Sequence, residues 1–305
     1  MEPIIVGIGE LLWDILPSGR HVGGAPANVA YYANCLGAKG IIVSAVGADA
    51  LGSKLLSHLA AISLLPKYVT VDEKHPTGTS SVFLNGQGKA RYKIHPDAAW
   101  DFISPSADLQ ALSLKSHAVC FGTLAQRGRV SRETIRWFID QTPDTALKVL
   151  DINLRSPYYS SEDLKRSLQM ANVVKLNEEE LTIVAQVLHL SGKEATLLKV
   201  LSAGYNLHLV ALTKGEHGSI LYSQGKVSQH EGIRTNIVDT VGAGDAFVAA
   251  MIMGMLNGLN LDAINEYGNR VAGYVCSQAG ATPTLRDDLH ISRFVSSEKQ
   301  SHSCT

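Results

Sequence analysis

The stretch Asp239-Thr240-Val241-Gly242-Ala243-Gly244-Asp245-Ala246-Phe247 decides the fold assignment. It places a Gly-Ala-Gly turn directly before an apolar, small-residue segment, 246–256, which predicts a buried helix. The first N–H groups of a helix have no intrahelical partner and carry about half a positive charge. Because glycine lets a ligand approach closely, the N–H groups of Gly242, Ala243 and Gly244 could bind a phosphate. The Asp245 carboxylate beside them could take a proton from a hydroxyl group. An ordinary turn with Asp as helix N-cap is the alternative.

A second glycine-rich motif, Gly23-Gly24-Ala25-Pro26-Ala27-Asn28, lies near the N-terminus. It predicts a helix that runs to about Leu36 and stops at Gly37. Gly24 would let a flat sugar ring lie against the backbone, and the Asn28 amide can donate to and accept from adjacent hydroxyl groups. Helix capping is the alternative role for Asn28. Together the two motifs resemble the signatures of the ribokinase-like (PfkB) family of sugar kinases, and residues 9–17 resemble the opening of bacterial fructokinases.

The resemblance implies one domain, 1–305, with a three-layer α/β/α ribokinase-like fold. Its central sheet would be mostly parallel, and a small β-sheet lid would be formed by about 10–24 and 67–97. The implied activity is transfer of the γ-phosphoryl of ATP to a sugar hydroxyl, with fructose to fructose 6-phosphate as the leading reaction. ATP, Mg²⁺ and a monovalent cation such as K⁺ are the implied cofactors. Kinases for 2-keto-3-deoxygluconate, ribose or a nucleoside are alternatives, as is a non-catalytic sugar or nucleotide sensor, against which Asp245 and the complete anion turn argue.

Outside the two motifs, short apolar runs alternate with helical patterns, which predicts right-handed βαβ crossovers with helices on both faces of a sheet. A hairpin is predicted around the Gly-rich turn 85–88, and with a strand from Leu11 it would form the lid. One face of so small a sheet is left uncovered, so a homodimer through the lid is expected. Strands are predicted at 4–9, 41–46, 117–122, 146–151, 173–176 and 207–213, an edge hairpin at 218–229, and helices at 131–141, 162–170, 178–188, 193–203 and 269–279.

Polar residues follow several predicted strands, where open α/β sheets bind ligands. By the resemblance Asp14 binds the sugar, and Glu10 is a second candidate for the same role; solvated loop acids are the alternative. Arg155 could steady the transferring phosphate or an acidic sugar group, or form a surface salt bridge. The resemblance adds Asn177 and Glu180 near Mg²⁺ and its water shell. It places Thr213, Lys214 and Gly215 at the nucleotide phosphates, with a solvated Lys214 as the alternative, and Asn269 on a helix behind the adenine. It also implies a monovalent cation between Asp239, the Val241 carbonyl and Thr284.

A near match to a P-loop occurs at Gly47-Ala48-Asp49-Ala50-Leu51-Gly52-Ser53-Lys54. Its last two residues are in the reverse order, so the lysine would not reach the β- and γ-phosphates. This stretch therefore predicts a plain strand-to-helix turn.

Composition excludes several classes of protein. The 305 residues carry a formal net charge of −1, which gives no overall electrostatic attraction to nucleic acid or to an anionic membrane. Four scattered cysteines lack metal or redox spacing, and no apolar run of ~20 residues occurs, so a cytoplasmic location is expected. An ordinary aspartate has a pKa of about 3.9, which predicts an ionised Asp245 at neutral pH.

Overall fold

The structure is a computed structural model that describes residues 2–16, 19–84 and 90–296. The turn expected at 85–88 lies outside these residues. Within them the strands are β1 (Ile4–Ile8), β2 (Leu12–Leu16), β3 (Gly19–Gly23), β4 (Lys39–Gly47), β5 (Val69–Asp72), β6 (Gly78–Leu84), β7 (Ala90–Ile94), β8 (Ala118–Phe121), β9 (Leu147–Asp151), β10 (Val173–Asn177), β11 (Leu209–Thr213), β12 (Ser219–Ser223) and β13 (Lys226–His230). The helices are α1 (Ala25–Cys35), α2 (Ala50–Ala61), α3 (Ala107–Ser113), α4 (Arg129–Gln141), α5 (Ser161–Met170), α6 (Glu178–Val187), α7 (Glu194–Tyr205), α8 (Ala243–Leu256) and α9 (Leu261–Cys276).

A nine-stranded sheet forms the centre of the molecule, in the order β13-β12-β11-β10-β9-β8-β1-β4-β5. Strands β5 to β11 in this order are parallel, whereas β12 and β13 form the antiparallel edge hairpin that the sequence predicts. The chain leaves β1 toward β4 on one side and later returns to β8 on the other. Ligands bind at such a reversal of strand order, outside the carboxyl ends of the strands.

Two hydrophobic cores lie on opposite faces of this sheet, because alternate side chains of each strand point to opposite faces. In β1, Ile5 belongs to the core formed with α1, α2, α8 and α9, whereas Val6 and Ile8 belong to the core formed with α3 to α7. Residues 246–254 of α8 are all buried, which is expected of a helix that is apolar on every side. The predicted three-layer α/β/α fold is confirmed.

A four-stranded sheet, in the order β3-β2-β6-β7, forms the second, smaller layer. The antiparallel pairing of β6 with β7 confirms the predicted hairpin strands. The proposed lid segment 67–97 divides between the sheets, because β5 pairs with β4 in the large sheet and only β6 and β7 enter the small one.

Further differences concern elements that were not predicted and one helix boundary. Strand β3 and helix α3 were not predicted. The last long helix begins at Leu261, where the Asn260 side chain caps it by accepting from the Ala263 N–H at 2.9 Å, so the predicted start at Asn269 is wrong. The near P-loop is a strand-to-helix turn, as predicted, with the Asp49 side chain as N-cap of α2. Within the residues described, no helix is both long enough and apolar enough to cross a bilayer.

Candidate active site

A first cavity of about 370 Å³ lies at the carboxyl ends of the parallel strands, beneath the small sheet. The parallel strands end at the same edge, so residues that are more than 200 positions apart in the sequence, such as Asn28 and Asp245, meet there. Nine of the sequence-predicted residues line it: Asp14, Gly24, Asn28, Arg155, Asn177, Val241, Gly242, Gly244 and Asp245.

The turn before α8 has the geometry that an anion site needs. Gly242 is the N-cap of α8 with a φ of 81°, and a Cβ atom there would overlap the Ala281 carbonyl oxygen. Only glycine fits this position without strain. Asp245 is therefore not the helix cap but lies within the first turn, facing the first cavity. The Ala243 N–H donates to the Thr240 carbonyl at 3.3 Å and so already has a partner in the turn.

Asp245 is held by Asn28, whose Nδ2 donates to its Oδ2 at 2.7 Å. Burial and the nearby charge of Asp151 raise the pKa of Asp245 to about 7, although the Asn28 hydrogen bond and the positive charges of Lys175 and Arg155 oppose this rise. The expectation of an ordinary, fully ionised aspartate at neutral pH is therefore wrong. Its side chain remains partly accessible from the cavity, which is what a proton acceptor for a bound ligand requires.

The sugar-site candidate Asp14 lies on β2 and accepts a hydrogen bond from the Ser80 hydroxyl of the neighbouring strand β6. Burial raises the pKa of this carboxyl above its usual value. A Cβ atom on Gly23 would overlap the Asp14 carboxylate, and one on Gly24 would overlap the Glu10 carbonyl oxygen. The two glycines therefore allow close contacts within the protein, with Asp14 and with the backbone at Glu10. The reason predicted from the sequence was instead the approach of a sugar ring.

A second cavity of about 790 Å³ opens on the other side of the α8 turn. Its walls combine apolar side chains, such as Ile233 and Phe247, with polar ones, such as Asn177 and Thr213, as is common in sites for small molecules. It shares four lining residues with the first cavity, namely Lys175, Asn177, Thr240 and Gly244. The predicted nucleotide residues Thr213, Gly215 and Asn269 also line it, as does Ala243 of the predicted anion turn.

Two nucleotide candidates have other partners in the structure. The Lys214 ammonium pairs with Glu194 at 2.9 Å and with Glu178 at 3.6 Å, and Lys214 is not among the described residues that line either cavity. The Asn269 amide nitrogen donates to the Ser219 hydroxyl at 2.6 Å and to the Asn265 carbonyl at 2.8 Å. Asn269 therefore shapes the second cavity chiefly by holding α9 against β12.

The predicted Mg²⁺ residues Asn177 and Glu180 form a capping box at the start of α6. The two Glu180 oxygens accept backbone N–H groups, one from Asn177 at 2.9 Å and one from Leu154 at 3.0 Å. Among the described residues there is no cluster of three His, Cys, Asp or Glu side chains arranged to hold a metal. These contacts do not fit Glu180 as a direct metal ligand, and its contact through water stays a prediction.

The predicted monovalent-cation residues join two loops. The Asp239 carboxylate accepts the Val241 N–H at 3.0 Å and the Gly280 N–H at 3.1 Å, so it connects the α8 turn to the loop after α9. The Thr284 carbonyl accepts the Tyr274 hydroxyl at 3.1 Å. The loop 280–284 does face Asp239, as predicted.

Sequence reasoning missed two charged residues of the first cavity, Asp151 and Lys175, whereas Glu10, which the resemblance suggested beside Asp14, also lines it. Glu10 is 4% exposed, its Oε2 has no hydrogen-bond partner among the described residues, and burial raises its pKa to about 7. The Lys175 ammonium lies 3.2 Å from Asp151 Oδ1, both being buried. A lysine inside the apolar run of β10 was the available signal, since a buried charge needs a partner.

Comparison with known proteins agrees with this geometry. The model of the pfkB family of carbohydrate kinases matches residues 18–288. A fructokinase of Escherichia coli is 31% identical over 270 residues, covering 84% of this chain and 85% of that protein. A sugar kinase of Pyrococcus horikoshii, whose crystal structure holds ATP, is 30% identical with a TM-score of 0.80, covering 93% of this chain and 96% of that chain.

The fold also matches a more distant structure. A double mutant of the Vibrio cholerae O395 fructokinase, with bound fructose, ADP and potassium, has a TM-score of 0.80, covering 97% of this chain and 98% of that chain. At 23% identity this match shows the fold alone. The family match spans most of the chain, and the strand-end cavity lies beside the anion turn. The chain therefore belongs to the pfkB family of carbohydrate kinases: it is a sugar kinase, a phosphotransferase whose acceptor is a hydroxyl group.

Proposed function

We propose that this sugar kinase transfers the γ-phosphoryl group of ATP to a hydroxyl of a ketohexose, with fructose as acceptor and fructose 6-phosphate as product. The observation that carries the proposal is the meeting of two cavities at Lys175 and Gly244, next to Asp245. The relatives support the choice of substrates, because one is a fructokinase and another was crystallised with ATP.

The sugar would occupy the first cavity. Asp14 and Asn28 lie on its walls and supply the acceptor and donor groups that sugar hydroxyls need. ATP would occupy the second cavity, with its adenine against the apolar part formed by Ile233, Ala272 and Cys276. Its phosphates would then extend toward the four shared residues, and the γ-phosphorus would lie at the boundary with the sugar. Both volumes fall in the usual range of small-molecule sites, roughly 300–1,000 Å³.

The chemical step follows from this placement. A sugar oxygen forms a bond to the γ-phosphorus, the bond from that phosphorus to the β–γ bridging oxygen breaks, and ADP leaves with the electron pair. The proton of the attacking hydroxyl moves to Asp245, which Asn28 holds at 2.7 Å. A carboxyl with a pKa near 7 is a better proton acceptor than an ordinary aspartate and still ionises at neutral pH. The N–H groups at the start of α8 other than that of Ala243, which is bonded to Thr240, would stabilise the transferring phosphoryl group.

Mg²⁺ would arrive on the phosphates of ATP and offset part of their charge. Because the Glu180 oxygens are engaged by backbone N–H groups, no protein ligand for the ion is assigned and no step of the mechanism depends on one.

An ADP-release assay over a panel of acceptors tests the proposal. The panel is fructose, 2-keto-3-deoxygluconate, ribose and a nucleoside, each with ATP and Mg²⁺. We expect the highest kcat/KM with fructose. If 2-keto-3-deoxygluconate is preferred, Arg155 becomes the candidate partner for its carboxylate, and replacing Arg155 with Ala should abolish that preference. If sugars and ATP bind but no acceptor releases ADP, the sensor alternative replaces the kinase.

We also propose that a monovalent cation binds beside Asp239, with the Val241 and Thr284 carbonyls as further ligands. The support is the position of Asp239, which joins the α8 turn to the loop 280–284. Exchange of K⁺ for tetramethylammonium should lower kcat in the same assay. An unchanged kcat would remove the cation from the proposal.

A further inference from the structure

Lys175 is a buried cation at the boundary between the two cavities. It is 7% exposed, and its Nζ lies 3.2 Å from Asp151 Oδ1. The two residues are direct register partners on the adjacent parallel strands β9 and β10. Burial alone would lower the pKa of Lys175, but the negative charges of Asp151, Glu180 and Asp245 outweigh that effect and raise it. The side chain is therefore a permanent positive charge at neutral pH.

The position of this ammonium is fixed on its other side by α8. A Cβ atom built on Gly244 would lie 3.1 Å from Lys175 Nζ, so the charge lies directly against the first turn of that helix. An ammonium group has three N–H donors, and the structure shows one hydrogen bond for this one, to Asp151, among the described residues. The Lys175 side chain therefore has N–H donors left for a ligand, and Lys175 lines both cavities.

We propose that Lys175 is a catalytic residue for phosphoryl transfer, whose ammonium contacts the transferring phosphoryl group while Asp151 holds it in place. This inference rests on the proposed function, because it requires the γ-phosphate of ATP at the boundary. The equatorial oxygens of the phosphoryl group gain contact with a fixed charge that need not reorganise during the reaction. Arg155, which lines the first cavity but not the second, would act on the sugar side.

A purely structural ion pair between β9 and β10 is the competing explanation, and a pair of variants separates the two. Lys175→Met alone leaves the Asp151 carboxylate buried without its partner, which can destabilise the fold. The double variant Lys175→Met/Asp151→Asn removes both charges with little change of volume, and such neutral replacements of buried pairs are commonly tolerated. Lys148→Met is the matched control, since Lys148 lies on β9 in a partly exposed pair with Asp144.

The experiment measures thermal unfolding, kcat and KM for sugar and ATP in all four proteins. We expect the double variant to unfold near the wild-type temperature while its kcat falls by about 10²–10³ with the sugar KM within threefold, the loss typical of one transition-state donor. The Lys148→Met control should keep its kcat. A folded double variant with a kcat within tenfold of wild type overturns the inference but leaves the kinase intact. Absence of ADP release by the wild type would instead overturn the proposed function.

Discussion

Replacing Asp245 with Asn should stabilise the protein and inactivate it. Burial and the charge of Asp151 raise the pKa of Asp245 from 3.8 to about 7, which corresponds to about 4 kcal/mol between the two protonation states. The folded protein therefore keeps this proton up to about pH 7, whereas the unfolded chain releases it near pH 4. By linkage Asp245 therefore lowers the free energy of unfolding progressively as the pH rises from about 4 to 7. Above pH 7 this destabilisation is complete.

An amide at position 245 has nearly the same shape, carries no charge and can still accept the Asn28 hydrogen bond through its oxygen. Asp245→Asn should thus match the wild type near pH 4 and exceed its free energy of unfolding by up to about 4 kcal/mol at pH 8. Urea unfolding at several pH values measures this difference. Asp262→Asn, an exposed aspartate in the first turn of α9, is the control and should show no such dependence on pH.

The same variant should lose turnover by about 10²–10⁴-fold, because that is the usual cost of removing a general base. Its sugar KM should change little, since the Asp14 side chain is untouched. A stability difference that stays constant between pH 5 and pH 8 would refute the raised pKa. Near-normal turnover would remove Asp245 from the mechanism, whatever its pKa.

Three further predictions follow from the same geometry. Gly242→Ala should destabilise the protein by about 1–3 kcal/mol and lower turnover, because the new Cβ atom meets the Ala281 carbonyl at a φ of 81°; an unchanged melting temperature would contradict this. The wild-type kcat/KM should fall about tenfold for each pH unit well below 7, as Asp245 takes up its proton, whereas an ordinary aspartate would leave the profile flat to about pH 5. Lys214→Met should change the KM for ATP by less than about twofold, since its ammonium pairs with Glu194, and a tenfold rise would return it to the nucleotide site.

The main sheet could be predicted because its inner strands are short and largely apolar, as expected for strands covered on both faces. The strands that escaped prediction lack this property. Residues 19–23 of β3 have the sequence Gly-Arg-His-Val-Gly, and the first three are exposed. The sequence of this strand therefore shows neither an apolar run nor an alternation of apolar and polar residues. The early start of α9 did have a local signal, an asparagine N-cap at Asn260 after Gly258, which sequence reasoning did not use.

The cavity residues divide in the same way. Glycine-rich turns and polar residues after apolar strands identified Asp14, Asn28 and Asp245, because strand ends converge at one edge of a parallel sheet. The raised pKa of Asp245 could not be predicted, since it depends on burial and on Asp151, which is 94 positions away. The ion pair of Lys214 could not be predicted for a related reason: its local motif says nothing of Glu194, which lies 20 residues earlier and accepts a hydrogen bond from its ammonium group.

Three charged groups of the described structure, Asp245, Asp151 and Lys175, lie together in one small region. A folded chain selected only for stability would do better with an amide at position 245 and with neutral groups at Asp151 and Lys175, since buried ion pairs rarely exceed hydrophobic replacements in stability. Burial of apolar side chains in the two cores on either side of the sheet stabilises the fold enough to offset the cost of these charged groups. The groups meet where the first and second cavities join, which is where a sugar hydroxyl and a phosphoryl group would have to react. The triple neutral variant should accordingly be the most stable protein of the series and the least active, a combination that a purely structural role for these charges does not predict.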